Sequence, residues 1–376
     1  MVENTLFYKD NYMKEFVSKV VKIEEAKGGK YKVVLDNTAF YPEGGGQPAD
    51  VGFLNDAVVS FVEESNGEIF HTIDKYIEIG TKVHGKIDFE KRFSNMQSHT
   101  AEHIVSGIIC KKYDATNVGF HIGKDFITID FNKAINHKDI VEIEKAANEA
   151  VYKDIGIITR IYTNEEIKNL EYRSKKELKE DVRIVEVPGY DRCACCGIHV
   201  ARTGEIGIIK LLRIENYKGG VRIYMIAGSK ALEDYNDKYS QINKISTLLS
   251  VKLEDVYDEV KKLKEEYDKS KVKEKSLKLE LLKKQIEKIK KDNIILEVDD
   301  LTGNEMKTFC EFILKEKKVN IAGIISSNKF ILMSDKEDLK KKLDEIKEKL
   351  DIKGGGNSSL IQGQFSCDTN KFIKLI

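Results

Sequence analysis

Short runs of alternating apolar and polar residues fill the first quarter of the chain. "KYKVVLDNTAFYP", "VGFLNDAVVSFVEES" and "GEIFHTIDKY" each carry the period of two of a strand with one buried face, and Gly, Asn and Asp separate them. Such a run of short strands predicts a small β-barrel over residues 1–90, because closure removes exposed sheet edges. The period then changes. In "FEKRFSNMQSHTAEHIVSGIICKKY" the apolar positions Met96, Ile104, Ile108 and Ile109 follow helical spacing, with Ser98 as a candidate cap at the start. The rest of residues 91–228 mixes strands ("GFHIGKDFITIDF", "IGIITRIYT", "GEIGIIKLLRIENYKGGVRIYMIAG") with helical stretches ("HKDIVEIEKAANEAVYKD", "TNEEIKNLEYRSKKEL"). The fold class is α+β.

From Ser229 to about Asp292 there is neither Gly nor Pro. Leu253, Val256, Val260, Leu263 and Tyr267 step by three and four, as a coiled-coil or helix-packing seam does. The pattern falters between Asp268 and Ser276 and resumes at Leu277, Leu281, Leu282, Ile286 and Ile289, which fits two packed helices or one interrupted helix. Residues 229–293 are thus a helical segment. Residues 294–376 form a small α/β unit: two strands in "VNIAGIISSNKFILMSD", an amphipathic helix in "KEDLKKKLDEIKEKL", and a glycine-rich loop in "KGGGNSSLIQGQF".

Composition narrows the function classes. Lys+Arg and Asp+Glu balance at 63 each, which argues against a tail-driven nucleic-acid binder. Lys261 to Asp292 holds 13 Lys against 7 acidic residues, read as a solvated helix face. Nothing in the chain has the length and apolarity of a membrane helix, and "MVENTLFYKDNYMKEF" lacks the apolar core of a signal peptide. The expectation is a soluble, cytoplasmic protein, where clustered cysteines bind metal or act in catalysis more often than they form disulfides.

Half of the six cysteines, Cys193, Cys195 and Cys196, sit in "YDRCACCGIHV". Cys195 and His199 are four apart. "HTAEH" places His99 and His103 at i and i+4, on one helix face. Together the two pairs supply three imidazoles and a thiolate, a zinc donor set. Two rivals exist. Cys193 and Cys196 make a CxxC, a redox motif in other settings. "HTAEH" also matches HxxEH, the inverted zinc-peptidase pattern in which Glu102 is the general base.

"FYPEGGGQPAD", "NMQSHTAEHIVSG" and "CCGIHVARTGEIGIIKL" together, in this order, resemble the editing domain of alanyl-tRNA synthetase. They resemble more closely its free-standing AlaX-type relatives, over roughly residues 1–228. Threonyl-type editing domains share the two pairs, but the "FYPEGGGQ" loop favours the alanyl type. The resemblance implies one zinc ion per chain on His99, His103, Cys195 and His199. It implies a catalytic pocket shaped by Thr38, Gln47 and Asp191, and a substrate-binding role for Gly44, Gly45, Gly46 and Arg222. The implied reaction is hydrolysis of the aminoacyl ester of tRNA(Ala) wrongly carrying serine or glycine. No aminoacylation core precedes the barrel, so a stand-alone deacylase is expected. The C-terminal part is similar to the synthetase's C-terminal domain, implying tRNA binding and a homodimer through that region. The chain departs from the family's Gly-Gly-Thr between the Cys and His ligands: here Cys196, Gly197 and Ile198 stand there. A zinc peptidase and a non-catalytic tRNA-binding protein are the alternatives.

Overall fold

The computed structural model describes residues 5–174 and 181–376. These fall into two compact units, residues 1–241 and 242–376. The chain opens with one helical turn, α1 (Leu6–Lys9), and then β1 (Glu15–Ala26), β2 (Lys30–Leu35), β3 (Gly52–Leu54), β4 (Ala57–Ser65), β5 (Glu68–Ile73) and β6 (Lys82–Ile87). The six strands close into an antiparallel barrel in the order β1-β2-β5-β4-β3-β6. β1 is the strand that the pattern hides. Phe16, Ser18 and Val20 point inward, but its outward positions include Val17 and Val21, which are exposed. With apolar residues on both faces the alternation disappears.

The long helix α2 (Phe89–Tyr113) follows directly. Its cap is Asp88, whose side chain accepts from the amide of Lys91 at 3.1 Å. Ser98, expected to cap the helix, is instead buried in its middle, because the polar residues before it also belong to a packed helix face. Arg92, fully buried, binds Asp50 and the carbonyls of Met13 and Ala39, and so joins the helix to the barrel loops. Strands β7 (Asn117–Ile122) and β8 (Ile127–Phe131), helix α3 (Ile140–Tyr152), β9 (Ile158–Tyr162), α4 (Asn164–Ile167), β10 (Val182–Val187), β11 (Asp191–Ala194), β12 (Ile209–Tyr217) and β13 (Gly220–Ala227) complete this part. They form a four-stranded sheet, β12-β13-β8-β7, and a three-stranded sheet, β11-β10-β9. The helix expected over "TNEEIKNLEYRSKKEL" reduces to the capped turn α4, and its residues 175–178 lie outside the described residues.

After Gly228 the chain forms α5 (Ser229–Leu249) and α6 (Val256–Glu287), with Ser250 in the left-handed region between them. The break in the apolar seam at 268–276 does not break α6. The last stretch is β14 (Asn293–Glu297), α7 (Gly303–Lys317), β15 (Ile321–Ser326), β16 (Lys329–Met333), α8 (Leu339–Lys349), β17 (Ile352–Gly356), β18 (Leu360–Phe365) and α9 (Thr369–Ile373). Its sheet runs β14-β15-β16-β18-β17, with β14 and β15 parallel and the other pairs antiparallel. "KGGGNSSLIQGQF", expected as a loop, is a hairpin of two strands. Ladder hydrogen bonds need no side chain, so Gly354 pairs with Gly363 across it. The Asn357 side chain accepts from the amides of Ser359 and Leu360 to close the turn. Among the described residues no helix is long and apolar enough to cross a membrane.

Candidate metal centre and its cavity

Two chain segments build the centre. On α2 the spacing of 3.6 residues per turn turns His99, Glu102 and His103 to one side, while Met96, Ala101, Ile104 and Val105 enter the core. Opposite, β11 ends at Ala194 and the chain bends away from the sheet. Arg183 on β10 holds this bend by donating from Nη1 to the carbonyls of Cys195 (2.7 Å) and Gly197 (2.9 Å). The bend aims Cys195 and His199 at the helix. A Cβ on Gly197 would lie 2.2 Å from His99 Cε1, so a side chain there would displace the ligand.

The four donors converge. Cys195 Sγ is 3.5 Å from His99 Nε2 and 3.5 Å from His199 Nε2, and the ligand atoms of His99, His103, Cys195 and His199 all lie within 4.8 Å of one another. Zinc bonds of about 2.3 Å to sulfur and about 2.05 Å to nitrogen, at tetrahedral angles, separate sulfur from nitrogen by about 3.6 Å. The donor set fits that ion. Each imidazole also holds an outer partner through Nδ1. His99 donates to Gln47 Oε1 at 2.8 Å, His103 lies 2.9 Å from Asp191 Oδ2, and His199 donates to Thr100 Oγ1 at 3.1 Å. These contacts leave each Nε2 free for a metal, as in known carboxylate–histidine–metal arrangements. Burial disfavours a charged Cys195 thiolate, but the His99 charge and hydrogen bonds from His103, His199 and His99 outweigh it and hold the thiol well below its usual pKa. Burial likewise opposes charge on His103, and there Asp191 and Cys195 win, raising it to about 10. On His199 burial and the His99 charge prevail and lower it to about 3.

The other two thiols of "CACC" separate. Cys193 is buried on β11 with its pKa raised by burial, whereas Cys196 is exposed at the cavity. Ile198, where a threonine was expected from the family pattern, is fully buried in the core, and its amide donates to Gln47 Oε1 at 3.3 Å.

A cavity of about 300 Å³ opens beside the centre, lined among others by Gly45, His99, Glu102, His103, Phe120 and Cys195. Of the predicted residues, Gly45 lines it, while Gly44 and Gly46 shape the loop behind. Gly44 and Gln47 exchange backbone hydrogen bonds, and Gly46 (φ +83°) lies so close to Phe120 that a Cβ would come within 2.6 Å of it. Gln47 and Asp191 stand behind the ligands, and Arg173 grips Asp191 with two hydrogen bonds of 2.6 and 2.7 Å. Two predicted residues are not brought here. Thr38 faces the barrel interior, where Oγ1 binds His71 Nε2 at 2.8 Å and accepts from the amide of Phe40 at 3.1 Å. Arg222 is paired with Asp130 on the four-stranded sheet, at 2.6 and 2.7 Å. Thr100 and Arg183 escaped the sequence reading, since no motif marks a residue that acts by bracing another. Glu102, the residue that the HxxEH pattern would make a general base, is buried.

Known proteins resemble this chain along its whole length. Residues 182–224 match the family model of the threonyl and alanyl tRNA synthetase second additional domain, and residues 3–91 match that of the class II (A) tRNA synthetases. The alanyl-tRNA editing protein AlaX-L of Pyrococcus horikoshii is 32% identical over 97% of this chain and 95% of its own length. The chain belongs to the alanyl-tRNA editing protein family. A shorter member, AlaX-M of Saccharolobus solfataricus, is 40% identical over 58% of this chain and 96% of its own. The alanine–tRNA ligase of Methanobrevibacter smithii is 31% identical over 95% of this chain, which spans only 43% of that enzyme.

Proposed function

We propose that this protein is a trans-editing hydrolase that cleaves the aminoacyl ester of tRNA(Ala) wrongly charged with serine, and also with glycine. The observation that carries the reading is the convergence of His99, His103, Cys195 and His199 on the wall of a cavity bordered by the glycine loop. It is joined by membership of the editing family. A bound zinc ion would supply a fixed local charge and hold its four ligands, and with them the cavity wall, in one arrangement. Four protein donors fill a tetrahedron, so the loop's backbone amides and the substrate's terminal ribose orient the attacking water. Gln47, Asp191 and Thr100 hold the imidazoles in one tautomer and orientation. Thr38 acts at one remove, by tying the segment that leads into the glycine loop to His71. A peptidase of the HxxEH type keeps a position open for water, whereas here Cys195 and His199 both converge on the helix pair.

A second site is useful because a synthetase pocket separates amino acids that differ by one small group by only about 1–3 kcal/mol. We assign tRNA contacts to the C-terminal region, residues 294–376. There Lys329, Lys353, Gln362 and Gln364 border a concavity of about 410 Å³ over the glycine hairpin. The exposed stripe of Val260, Leu263 and Tyr267 on α6 is consistent with pairing of two chains through residues 229–376, and a tRNA substrate puts the proposed site of action in the cytoplasm. Deacylation of Ser-, Gly- and Ala-tRNA(Ala) beside Ser-tRNA(Thr) tests the reading. Hydrolysis of the first two and sparing of Ala-tRNA(Ala) is expected, and a preference for Ser-tRNA(Thr) would refute it.

A further inference from the structure

Glu102 is a buried carboxylate that the metal centre does not use. Removing a charge from water is unfavourable unless its hydrogen-bonding positions are filled, and among the described residues only one of its two oxygens has hydrogen-bond partners. Oε1 accepts from Ser106 Oγ and Asn117 Nδ2, both at 2.6 Å, and Asn117 Nδ2 also reaches Ser106 Oγ at 3.0 Å. Oε2 has His103 Nε2 at 3.9 Å, beyond hydrogen-bond distance, and that nitrogen belongs to the converging donor set. Arg173, a guanidinium on the same cavity wall, is already committed through two hydrogen bonds to Asp191. Among the described residues of the wall the other carboxylate, Asp181, is exposed. Among the described residues lining the cavity, Glu102 is thus the buried anion beside the centre.

An aminoacyl ester brings one cation to such a cavity: the α-ammonium group, a single carbon away from the ester carbonyl. We infer that Glu102 Oε2 receives this ammonium group and so makes the site selective for esters of α-amino acids. The inference rests on the deacylase reading. The clamp by Ser106 and Asn117 fixes the carboxylate plane, so the open oxygen is held in place before substrate arrives. This pre-ordering is what lets a charge-assisted hydrogen bond contribute its full strength.

The test uses the full-length zinc-loaded protein and two esters on the same tRNA(Ala): the seryl ester, and the α-hydroxy ester that nitrous acid makes from it. The second has the same shape and no charge. Wild-type protein is expected to show a KM roughly 10- to 100-fold lower for the amino ester, the range of a hydrogen bond to a charged group. Glu102→Gln keeps the acceptor for Ser106 and Asn117. It should raise KM for the amino ester by a similar factor, leave kcat within a few-fold, and abolish the discrimination, with bound zinc and Tm unchanged. Equal KM values for the two esters in wild-type protein overturn the assignment even if the variant does not fold. A kcat loss shared by both esters in Glu102→Gln overturns it in favour of proton transfer, and loss of zinc or stability overturns it in favour of a structural role. No turnover of either ester by wild-type protein defeats the deacylase reading itself, a result distinct from turnover without discrimination.

Discussion

The barrel interior and the metal centre both bury imidazoles, and they satisfy them differently. In the barrel, His71 uses both ring nitrogens on neutral partners: Nδ1 lies 3.0 Å from the Val33 carbonyl and Nε2 2.8 Å from the Thr38 hydroxyl. Burial alone then pulls its pKa down to about 4. At the centre, three imidazoles each spend Nδ1 on an outer partner and present Nε2 to a common point beside a thiolate. Burial of a histidine therefore says little about function. What separates a structural histidine from a ligand is whether a ring nitrogen is left over and whether several such nitrogens converge.

The sharpest way to break this distinction is to remove the thiolate. Cys195→Ala should lose bound zinc and leave turnover of Ser-tRNA(Ala) below about one per cent, since loss of an outer partner alone already costs about 10- to 100-fold. Circular dichroism should show the fold retained, and a variant that keeps metal and turnover would contradict the assignment.

His71 offers the opposite test, in stability. Its folded pKa is depressed, so between pH 6.5 and about 4 the folded protein binds fewer protons than the unfolded chain. Its contribution is complete above pH 6.5 and is lost as pH falls through about 4. At about 1.4 kcal/mol per pH unit this amounts to roughly 3 kcal/mol. Denaturant unfolding across that range should show the slope, and His71→Gln should flatten it. An unchanged slope in the variant would place the titration elsewhere.

Asp191→Asn probes a residue between the two extremes. It keeps the shape but removes the charge facing His103 and Arg173, and zinc affinity or turnover should fall about 10- to 100-fold. Competition with a chromophoric chelator measures it, and wild-type affinity would mean that Asp191 does not orient the ligand.

Thr38→Val gives the smallest effect on activity. It strands His71 Nε2 without a donor, so stability should drop by about 1–3 kcal/mol while the preference for seryl over alanyl ester persists. A lost preference would return Thr38 to the amino-acid pocket.

The same contrast explains what could be read from the sequence. Both pairs of candidate ligands were legible because HxxxH and CxxxH spacings follow from local helix and turn geometry. Gln47 and Asp191 emerged only through a family resemblance, which placed them at the pocket without showing that they stand behind the ligands. The burial of Glu102 and the bracing by Arg183 were not legible, because they depend on how α2 meets β10 and β11. The contact of Thr38 with His71 was not legible for a related reason: strand alternation sets which side of the barrel a residue faces, and the segment after Leu35 leaves the strand. The glycine hairpin was hidden because a strand made of Gly354, Gly355 and Gly356 carries no side-chain pattern at all.

The most direct measurement follows bound zinc and Ser-tRNA(Ala) hydrolysis in one preparation as a chelator withdraws the metal. Hydrolysis should fall in proportion to the zinc lost from His99, His103, Cys195 and His199, and return when zinc is restored. Full hydrolysis by metal-free protein would contradict it.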